Sequence, residues 1–268
     1  MSIFKKLFGK KKEEVSYQKS KNSIQPKNSK SELEEALKTI TNFKRTAYIP
    51  QVKVVKPTFN TKSKIGGLPY LRSKEDWPVC PNCQNQMTLF LQLNLAELPE
   101  HPSDGLIQLF YCTNKDPMCE SDMDAYLPFS KSVVCRKIDV SGKSAIIKPT
   151  GIDIFEEKEI VNWEPKDDYP HFEEYYNLGI ETEITDELYD LLEEANIGPL
   201  TGEKLFGWPH WIQGKENPSD RNTSTEMELL FQLDSEINLP YMFGDMGIGH
   251  LTQSPDNSEE LAFGWACS

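Results

Sequence analysis

The sequence predicts an α+β protein built of two pseudo-repeated, mostly antiparallel β halves, with a few helices and a cysteine-containing insertion in the first half. Three features of the chain lead to this fold: an internal repeat, short apolar segments bounded by turns, and a Cys-x-x-Cys pair followed by two further cysteines. The 268 residues are enough for a substantial core, so no metal is needed merely to reach folding size.

The internal repeat has a constant offset of 140 positions and contains no gap. Its shared phrases are K-x-x-G-x-P and M-x-L-x-x-Q-L, and its seven identities pair Lys64 with Lys204, Gly67 with Gly207, Pro69 with Pro209, Met87 with Met227, Leu89 with Leu229, Gln92 with Gln232, and Leu93 with Leu233. This agreement predicts that residues 31–268 form one domain of two similar halves, at about 31–150 and 151–268. Each half is expected to contain a Gly-Pro turn that leads into a glutamine-bearing strand.

Residues 1–30 are predicted to form a basic, disordered tail and linker, because they contain nine Lys and two Glu among many Ser and Asn. In residues 1–14, apolar side chains such as Phe4 and Leu7 alternate with lysines, which is compatible with weak peripheral contact to an anionic membrane. The alternative is a frayed terminus. No apolar run approaches the roughly 20 residues that a membrane helix needs.

Two helices are predicted from their capping signals. The first begins at Ser31, which forms a capping box with Glu34 ahead of an apolar face, and ends near residue 42. The second follows the N-cap Thr185, presents leucines at helical spacing and ends at Gly198-Pro199.

Strands are predicted where short apolar runs lie between turns. The segment 47–57 alternates apolar and polar residues, and Pro50 within it places the strand at a sheet edge. Irregular surface structure is predicted over the acidic, aromatic segment 153–183, with a short helix within it as an alternative. Further strands are predicted over 89–95, 105–112, 132–138 and 143–148.

Charge is unevenly distributed along the chain. The net charge is −13 and residues 1–30 contribute +7, so residues 31–268 carry −20. An acidic body repels phosphate backbones, which argues against nucleic acid as a partner and favours a basic polypeptide. The alternative is that the acidity serves only solubility. Six cysteines without a secretory signal indicate a reducing compartment, so we expect a cytoplasmic protein.

The cysteine pattern predicts a metal site in a zinc-ribbon-like insertion of the first half. Cys80 and Cys83 have the two-residue spacing of a zinc knuckle, and the following strand pair can bring Cys112 and Cys119 back to complete a structural zinc site. The second pair is separated by six residues, so Asp116 or water is an alternative fourth ligand. The other alternative is four free thiols.

Two glutamines are candidates for a cleft between the halves. Gln92 and Gln232 stand in the middle of apolar strands, and a buried amide must satisfy both its donors and its acceptor. They therefore either bond the backbone in the interior or face a ligand groove.

A second set of polar and aromatic residues could line the same cleft, namely Trp208, His210, Asp245 and His250. Such side chains are alternatively part of a packed core. The sequence contains no G-x-S-x-G, P-loop or H-E-x-x-H motif, so a non-catalytic role is predicted. An enzyme of unknown reaction that uses His210, Asp245 and His250 is the alternative.

Several segments together resemble the bacterial YwqG family, over about residues 35–268. They are KIGGLPYL, WPVCPNCQNQMTLFLQLNL, GLIQLFYC, LFGWPHWIQ, LLFQLDS and MFGDMGIGHL. The first block, with its paired cysteines, is distantly similar to the programmed-cell-death-protein-2 family, whose members are implicated as dedicated chaperones of a ribosomal protein.

The resemblance implies a domain of unknown function that binds a protein or peptide without catalysis, as a chaperone-like protein or as an immunity (antidote) protein for a basic client. It also implies that Cys80, Cys83, Cys112 and Cys119 are metal ligands. The long second spacing departs from the knuckle pattern and leaves the role of Cys119 open.

Overall fold

Ten strands form one continuous antiparallel sheet in the computed structural model, which describes residues 30–73 and 75–268. The tail and membrane-contact predictions for residues 1–29 lie outside these residues. The strands are β1 (Arg45–Val55), β2 (Lys64–Ile65), β3 (Thr88–Asn94), β4 (Leu106–Tyr111), β5 (Val133–Ile138), β6 (Glu157–Asp168), β7 (Lys204–Phe206), β8 (Glu228–Asp234), β9 (Ile248–Gln253) and β10 (Leu261–Ala266). The described helices are α1 (Lys30–Thr41), α2 (Cys119–Asp122) and α3 (Asp186–Glu194), with 3-10 turns at Leu95–Glu97 and Phe172–Glu174. The predicted α+β, mostly antiparallel fold is confirmed.

The long strands β1 and β6 occupy the centre of the sheet, and the two repeats flank them as wings. The strand order is β10-β9-β8-β7-β1-β6-β2-β3-β4-β5, so β2–β5 form the first wing and β7–β10 the second. Strand β6 follows the first wing in the chain and pairs with β2, whereas β1 precedes that wing and pairs with β7. The first and second halves of the chain therefore interlock at the centre.

Both wings have the same strand register, as the repeat requires. Lys64 lies opposite Gln92, and Lys204 lies opposite Gln232. Each wing also has a β-bulge at the same position of its second strand, and an isolated bridge closes the same turn before it. The constant offset seen in the sequence thus corresponds to a constant geometry.

Each K-x-x-G-x-P motif encloses a buried ion pair with a carboxylate from one end of β6. Lys64 Nζ lies 3.2 Å from Glu157, Lys204 Nζ lies 2.9 Å from Asp168, and all four side chains are fully buried. Glycine is required three residues after the lysine, because a Cβ on Gly207 would lie 2.1 Å from Asp168 Oδ2. The first wing has the same close approach. The repeated motif therefore attaches each wing to the central strand.

Gly207→Ala should lower the free energy of unfolding by about 3 kcal/mol, because it adds both a steric clash and left-handed strain at φ +78°. Gly179→Ala is the control, since Gly179 has φ +67° but no described atom within 4 Å of an added Cβ. That variant should cost only about 1 kcal/mol. Urea unfolding of the two variants measures both costs, and equal values would contradict the close approach to Asp168.

Both wings contribute to one apolar core. The buried cluster includes Phe90 and Leu93 from the first wing and Phe231 and Leu251 from the second. The sheet curves enough that β5 and β10, at opposite ends of the strand order, contact each other. This shared core holds the two wings against each other.

The two predicted helices are confirmed, and they pack on each other. The helix α3 has the expected N-cap, in which Thr185 Oγ1 accepts a hydrogen bond from Leu188 N at 3.3 Å. Apolar residues of α1, such as Ile40, share a buried cluster with Leu188 and Leu192 of α3. Among the described helices, none combines the length and apolar character needed to cross a membrane.

The prediction that the strand around Pro50 lies at an edge of the sheet was wrong. Strand β1 is central, between β7 and β6. Its pairing with β7 is confined to Ala47 and Tyr48, so at Pro50 only the β6 side is paired. The proline is tolerated because its missing N–H is not needed on the open side.

Two other segment predictions were wrong. Residues 143–148 form no strand, because their one backbone bond to a neighbour is from Ala145 N to Leu71 O, and the side chains of Ala145 and Ile147 pack beside the cysteine loops instead. The acidic segment 153–183 contains the 12-residue strand β6. Its pairing with β1 along its whole length overrides the low strand propensity of its acidic residues.

Candidate functional site

Two loops that flank the hairpin of β3 and β4 bring four cysteines together. Cys80 and Cys83 lie in the turn before β3, where Cys80 N donates to Asn85 O at 2.8 Å. Cys112 directly follows β4, and Cys119 begins α2. The antiparallel pairing of β3 with β4 carries the second pair of cysteines back to the first.

The geometry of the four thiols fits a metal ion. Their sulfur atoms lie within 4.8 Å of one another, and Cys83 Sγ lies 3.7 Å from Cys112 Sγ. Sulfur atoms that bind one ion tetrahedrally at about 2.3 Å are about 3.8 Å apart. The cluster can therefore hold a metal ion, and it includes Cys119. Asp116 is exposed and does not belong to the cluster.

The surroundings of the cluster favour a thiolate at Cys80 but oppose one at Cys112 and Cys119. Burial opposes ionisation of Cys80, but the backbone amides of Cys83 and Asn82 hold the pKa of its thiol below the ordinary value. Burial raises the pKa of Cys112 and Cys119, so a bound cation would be needed to keep those thiols ionised. Because all four ligands would be protein side chains, such an ion would have a structural role.

In the second wing a hydrogen-bonded carboxylate takes the position that a cysteine has in the first wing. Asp220 occupies the position of the first knuckle cysteine, at the offset of the repeat. Its carboxylate accepts hydrogen bonds from the amides of Asn222 at 2.7 Å and Thr223 at 3.1 Å. The side chain of Ser254, together with these amides, holds the pKa of Asp220 below its ordinary value. The first residue of the turn thus accepts hydrogen bonds from backbone amides in both wings, through the thiol of Cys80 in one and the carboxylate of Asp220 in the other.

Gln92 and Gln232 lie in the interior, where their amides are hydrogen-bonded to the backbone. Gln92 Oε1 accepts from Tyr70 N at 2.8 Å, and Gln92 Nε2 donates to the carbonyls of Asn60 and Lys62 at 3.0 and 2.8 Å. Gln232 makes the equivalent bonds to His210 N, Leu200 O and Gly202 O. Both glutamines hold the K-x-x-G-x-P loop against the sheet, and their amides are saturated.

Two cavities of similar size lie at equivalent positions in the two wings. The α3 cavity, of about 590 Å³, lies between α3 and the segment 198–201 and includes His210. The Tyr70 cavity, of about 600 Å³, lies beside the segment 58–61 and includes Tyr70. These segments are related by the offset of the repeat, so the cavities are pseudo-symmetric. The two cavities differ in the segment that closes them, which is α3 for the α3 cavity and residues 142–146 for the Tyr70 cavity.

His210 and Trp208 lie beside each other in the chain but have different surroundings. His210 lines the α3 cavity, with its ring centre 6.1 Å from that of His171. Burial lowers the pKa of both histidines, that of His171 to about 4. Trp208 is buried, donates from Nε1 to Phe43 O at 2.8 Å, and stacks under the Arg45 guanidinium at 3.6 Å. Trp208 therefore packs in the structure and lines neither the α3 cavity nor the Tyr70 cavity.

His250 lines a third cavity, the His250 cavity, of about 310 Å³, together with Tyr126 and Trp265. Asp245 is exposed in the turn before β9 and lines none of these three cavities. The structure therefore does not bring His210, Asp245 and His250 into one cleft, because the two histidines line different cavities.

The three cavities were not predicted from the sequence. One signal was available, since extending the repeat three residues before Lys64 pairs Thr61 with Thr201, which line equivalent cavities. The α3 and Tyr70 cavities are closed by α3 and by residues 142–146, which lie outside the repeated phrases. Aligning the two halves of the sequence does not relate these closing segments to each other.

Comparison with known proteins identifies the family but not an activity. No curated protein matches the chain. Residues 63–267, which include the four cysteines and both wings of the sheet, match the family described as a domain of unknown function (DUF1963). The chain therefore belongs to the DUF1963 family.

Proposed function

We propose that this protein is a non-catalytic binding protein whose α3 cavity holds a basic, amphipathic polypeptide segment. The observation that carries this proposal is an apolar cavity beside an acidic helix. Phe172, Ile184 and Tyr189 line the cavity and are 43%, 40% and 54% exposed. Exposed apolar surface of this kind, beside polar residues, is typical of a protein-binding site.

The acidic residues around the α3 cavity favour a partner with positive charge. The nine residues of α3, DELYDLLEE, include five acidic residues and no basic ones. Residues 31–268 together carry −20, so a cationic segment is attracted over a long range at low ionic strength. A segment with apolar side chains on one face and Lys or Arg on the other matches both features.

A chaperone-like or antidote role for a basic client is the finer form of this proposal. It rests on the resemblance of the chain to the YwqG family and, more distantly, to the programmed-cell-death-protein-2 family. The metal is proposed to be zinc, because four thiolates in a closed tetrahedral set are the usual ligands of structural zinc. Reduced cysteines of this kind suit the cytoplasm.

Fluorescence anisotropy with a labelled peptide tests the proposal. The peptide is a 14-residue amphipathic helix in which clusters of Leu and Lys alternate. Tyr189→Glu and Phe172→Glu should each weaken binding about tenfold, because each places a charge in the apolar lining. Tyr176→Glu is the matched control, since Tyr176 is 93% exposed and does not line the cavity. Binding should also weaken as salt is added.

Equal loss of binding in the Tyr176 and Tyr189 variants would exclude the α3 cavity as the site. A second comparison uses the chain without residues 1–29, which are basic themselves. Tighter peptide binding by the shortened chain would identify the protein's own tail as a competing occupant.

A further inference from the structure

A row of polar side chains crosses each wing, and in the first wing it ends in an arginine. Lys64, Gln92, Gln108 and Arg136 lie at neighbouring positions on β2, β3, β4 and β5. Arg136 donates from Nε and Nη2 to Gln108 Oε1 at 2.9 and 2.8 Å, and from Nη1 to Glu75 at 2.8 Å. The first wing therefore contains a complete internal site for a guanidinium group.

The second wing has the same row without the arginine. His250 stands opposite Gln232 as Gln108 stands opposite Gln92, and Gly264 takes the position of Arg136. Gly264 cannot readily be replaced, because a Cβ there would lie 3.0 Å from Tyr126 O. The position that supplies the guanidinium in the first wing thus has no side chain in the second.

His250 is left with an unused acceptor in this row. Gln108 Nε2 donates to Tyr70 O at 2.7 Å, and His250 is likewise hydrogen-bonded to the backbone of His210, the counterpart of Tyr70. The residue is buried, with 8% of its surface exposed, and its Nε2 has no hydrogen-bond partner among the described residues. Burial, helped by Lys204 and His210, lowers the pKa of His250 to about 3, so the imidazole is neutral near pH 7.

The cavity beside His250 has the lining that a guanidinium group needs. Besides His250, the 310 Å³ cavity is lined by an acidic residue, Glu216, and by two aromatic residues, Tyr126 and Trp265. Lys215, the counterpart of Glu75, does not compensate Glu216, because its ammonium lies 2.8 Å from Glu174 and 2.6 Å from Glu226. A carboxylate, a neutral acceptor and aromatic faces together favour a planar cation.

We propose that the His250 cavity binds a guanidinium group from outside the chain, with His250 Nε2 as the acceptor and Glu216 as the counter-ion. The bound group would occupy the position that Arg136 holds in the first wing. This site is separate from the α3 cavity, so it stands or fails independently of the proposed function. The guanidinium can come from an arginine side chain of a polypeptide or from a free small guanidine.

Titration of the full chain with N-acetyl-arginine methylamide and N-acetyl-lysine methylamide, followed by NMR, tests the site. The arginine probe should bind about tenfold more tightly than the lysine probe, since only the planar group reproduces the bonds of Arg136. Methylguanidinium and a Gly-Gly-Arg-Gly-Gly peptide distinguish the two sources. Tighter binding of the peptide assigns a polypeptide arginine, and equal binding assigns a free guanidine.

Variants of the cavity separate a specific site from general attraction to an acidic protein. His250→Phe and Glu216→Gln should each weaken the arginine probe about tenfold, by removing the acceptor or the counter-ion. His250→Gln installs the residue of the first wing and should retain binding within about threefold. Glu194→Gln removes an equal charge from the exposed end of α3, outside the cavity, and should have no effect.

Two results would overturn the proposal. The first is equal affinity of the unmodified protein for the arginine and lysine probes, which requires no variant to fold. The second is unchanged binding in folded His250→Phe, which would mean that Nε2 is not the acceptor of the guanidinium group.

Discussion

Cys80→Ser should abolish metal binding and lower the melting temperature by about 10 °C. An ion that saturates its site a thousandfold above its Kd stabilises the folded state by about 4 kcal/mol. In a domain of this size each 1 kcal/mol corresponds to about 2–4 °C. Protein purified without added metal should carry about one ion per chain, because four thiols make one tetrahedral site.

Loss of the ion should destabilise both wings, because the loop that contains Cys119 and α2 contacts the second wing. Glu120, next to Cys119, accepts hydrogen bonds from Tyr111 Oη at 2.8 Å and from Tyr241 Oη. Trp265 in β10 in turn donates to Tyr111 Oη at 2.9 Å. Releasing α2 would therefore loosen the contacts that join the two wings.

Elemental analysis and thermal unfolding are the measurements for this metal prediction. Cys267→Ser is the matched control, because it makes the same chemical change at a half-buried thiol outside the cluster. It should leave both the metal content and the melting temperature unchanged. The prediction would be contradicted if the unmodified protein contained no metal and Cys80→Ser left its melting temperature unchanged. Zinc in preference to another ion is tested by the same elemental analysis.

Lys204→Met should lower the free energy of unfolding by about 3 kcal/mol. The Lys204–Asp168 pair is fully buried at 2.9 Å, and removing one partner leaves a carboxylate in the interior. The amides of Leu200 and Trp208 still donate to Asp168 at 2.7 and 2.8 Å, which keeps the cost near the lower end for broken buried pairs. Lys64→Met should have a similar cost, because Lys64 and Glu157 form the equivalent pair.

The neighbouring residue Asp167 provides the control for this buried pair. Asp167 pairs with Lys44 at 3.1 Å, but the two side chains are 58% and 49% exposed. Lys44→Met should therefore cost about 0.5 kcal/mol or less. Chemical denaturation of the two variants gives both values, and a Lys204→Met cost as small as that of Lys44→Met would contradict the role given to the buried pairs.

Local signals in the sequence were sufficient to predict α1, α3, the repeat and the pairing of Cys80 with Cys83 in one turn. The cap at Thr185 and the leucines that follow it determine α3 within a few residues of chain, and the Cys80–Cys83 spacing brings two thiols to one turn. The repeat of Lys64 and Gly67 at Lys204 and Gly207 predicted two similar wings. Each of these features depends on residues close together in the chain or on identity at a fixed offset.

The central position of β1 and the existence of β6 could not be predicted in this way. Strand β6 has an acidic sequence with Pro165 inside it, and β1 contains Pro50, so both have weak local strand signals. Each is stabilised by pairing with the other, more than 100 residues away in the chain. The β6 carboxylates Glu157 and Asp168 find their partners only in the folded sheet, where they pair with Lys64 and Lys204.

The sequence by itself therefore determined the fold class, the two wings and the set of thiols, because these depend on local propensity, spacing and repetition. Only the tertiary structure decided that Cys119 joins the cluster, that Gln92 and Gln232 are saturated, and that His210 and His250 line separate cavities. The physical reason is that hydrogen-bond saturation and cavity shape depend on which distant segments pack together. Two wings with the same strand register thus differ in chemistry, as Arg136 and Gly264 show.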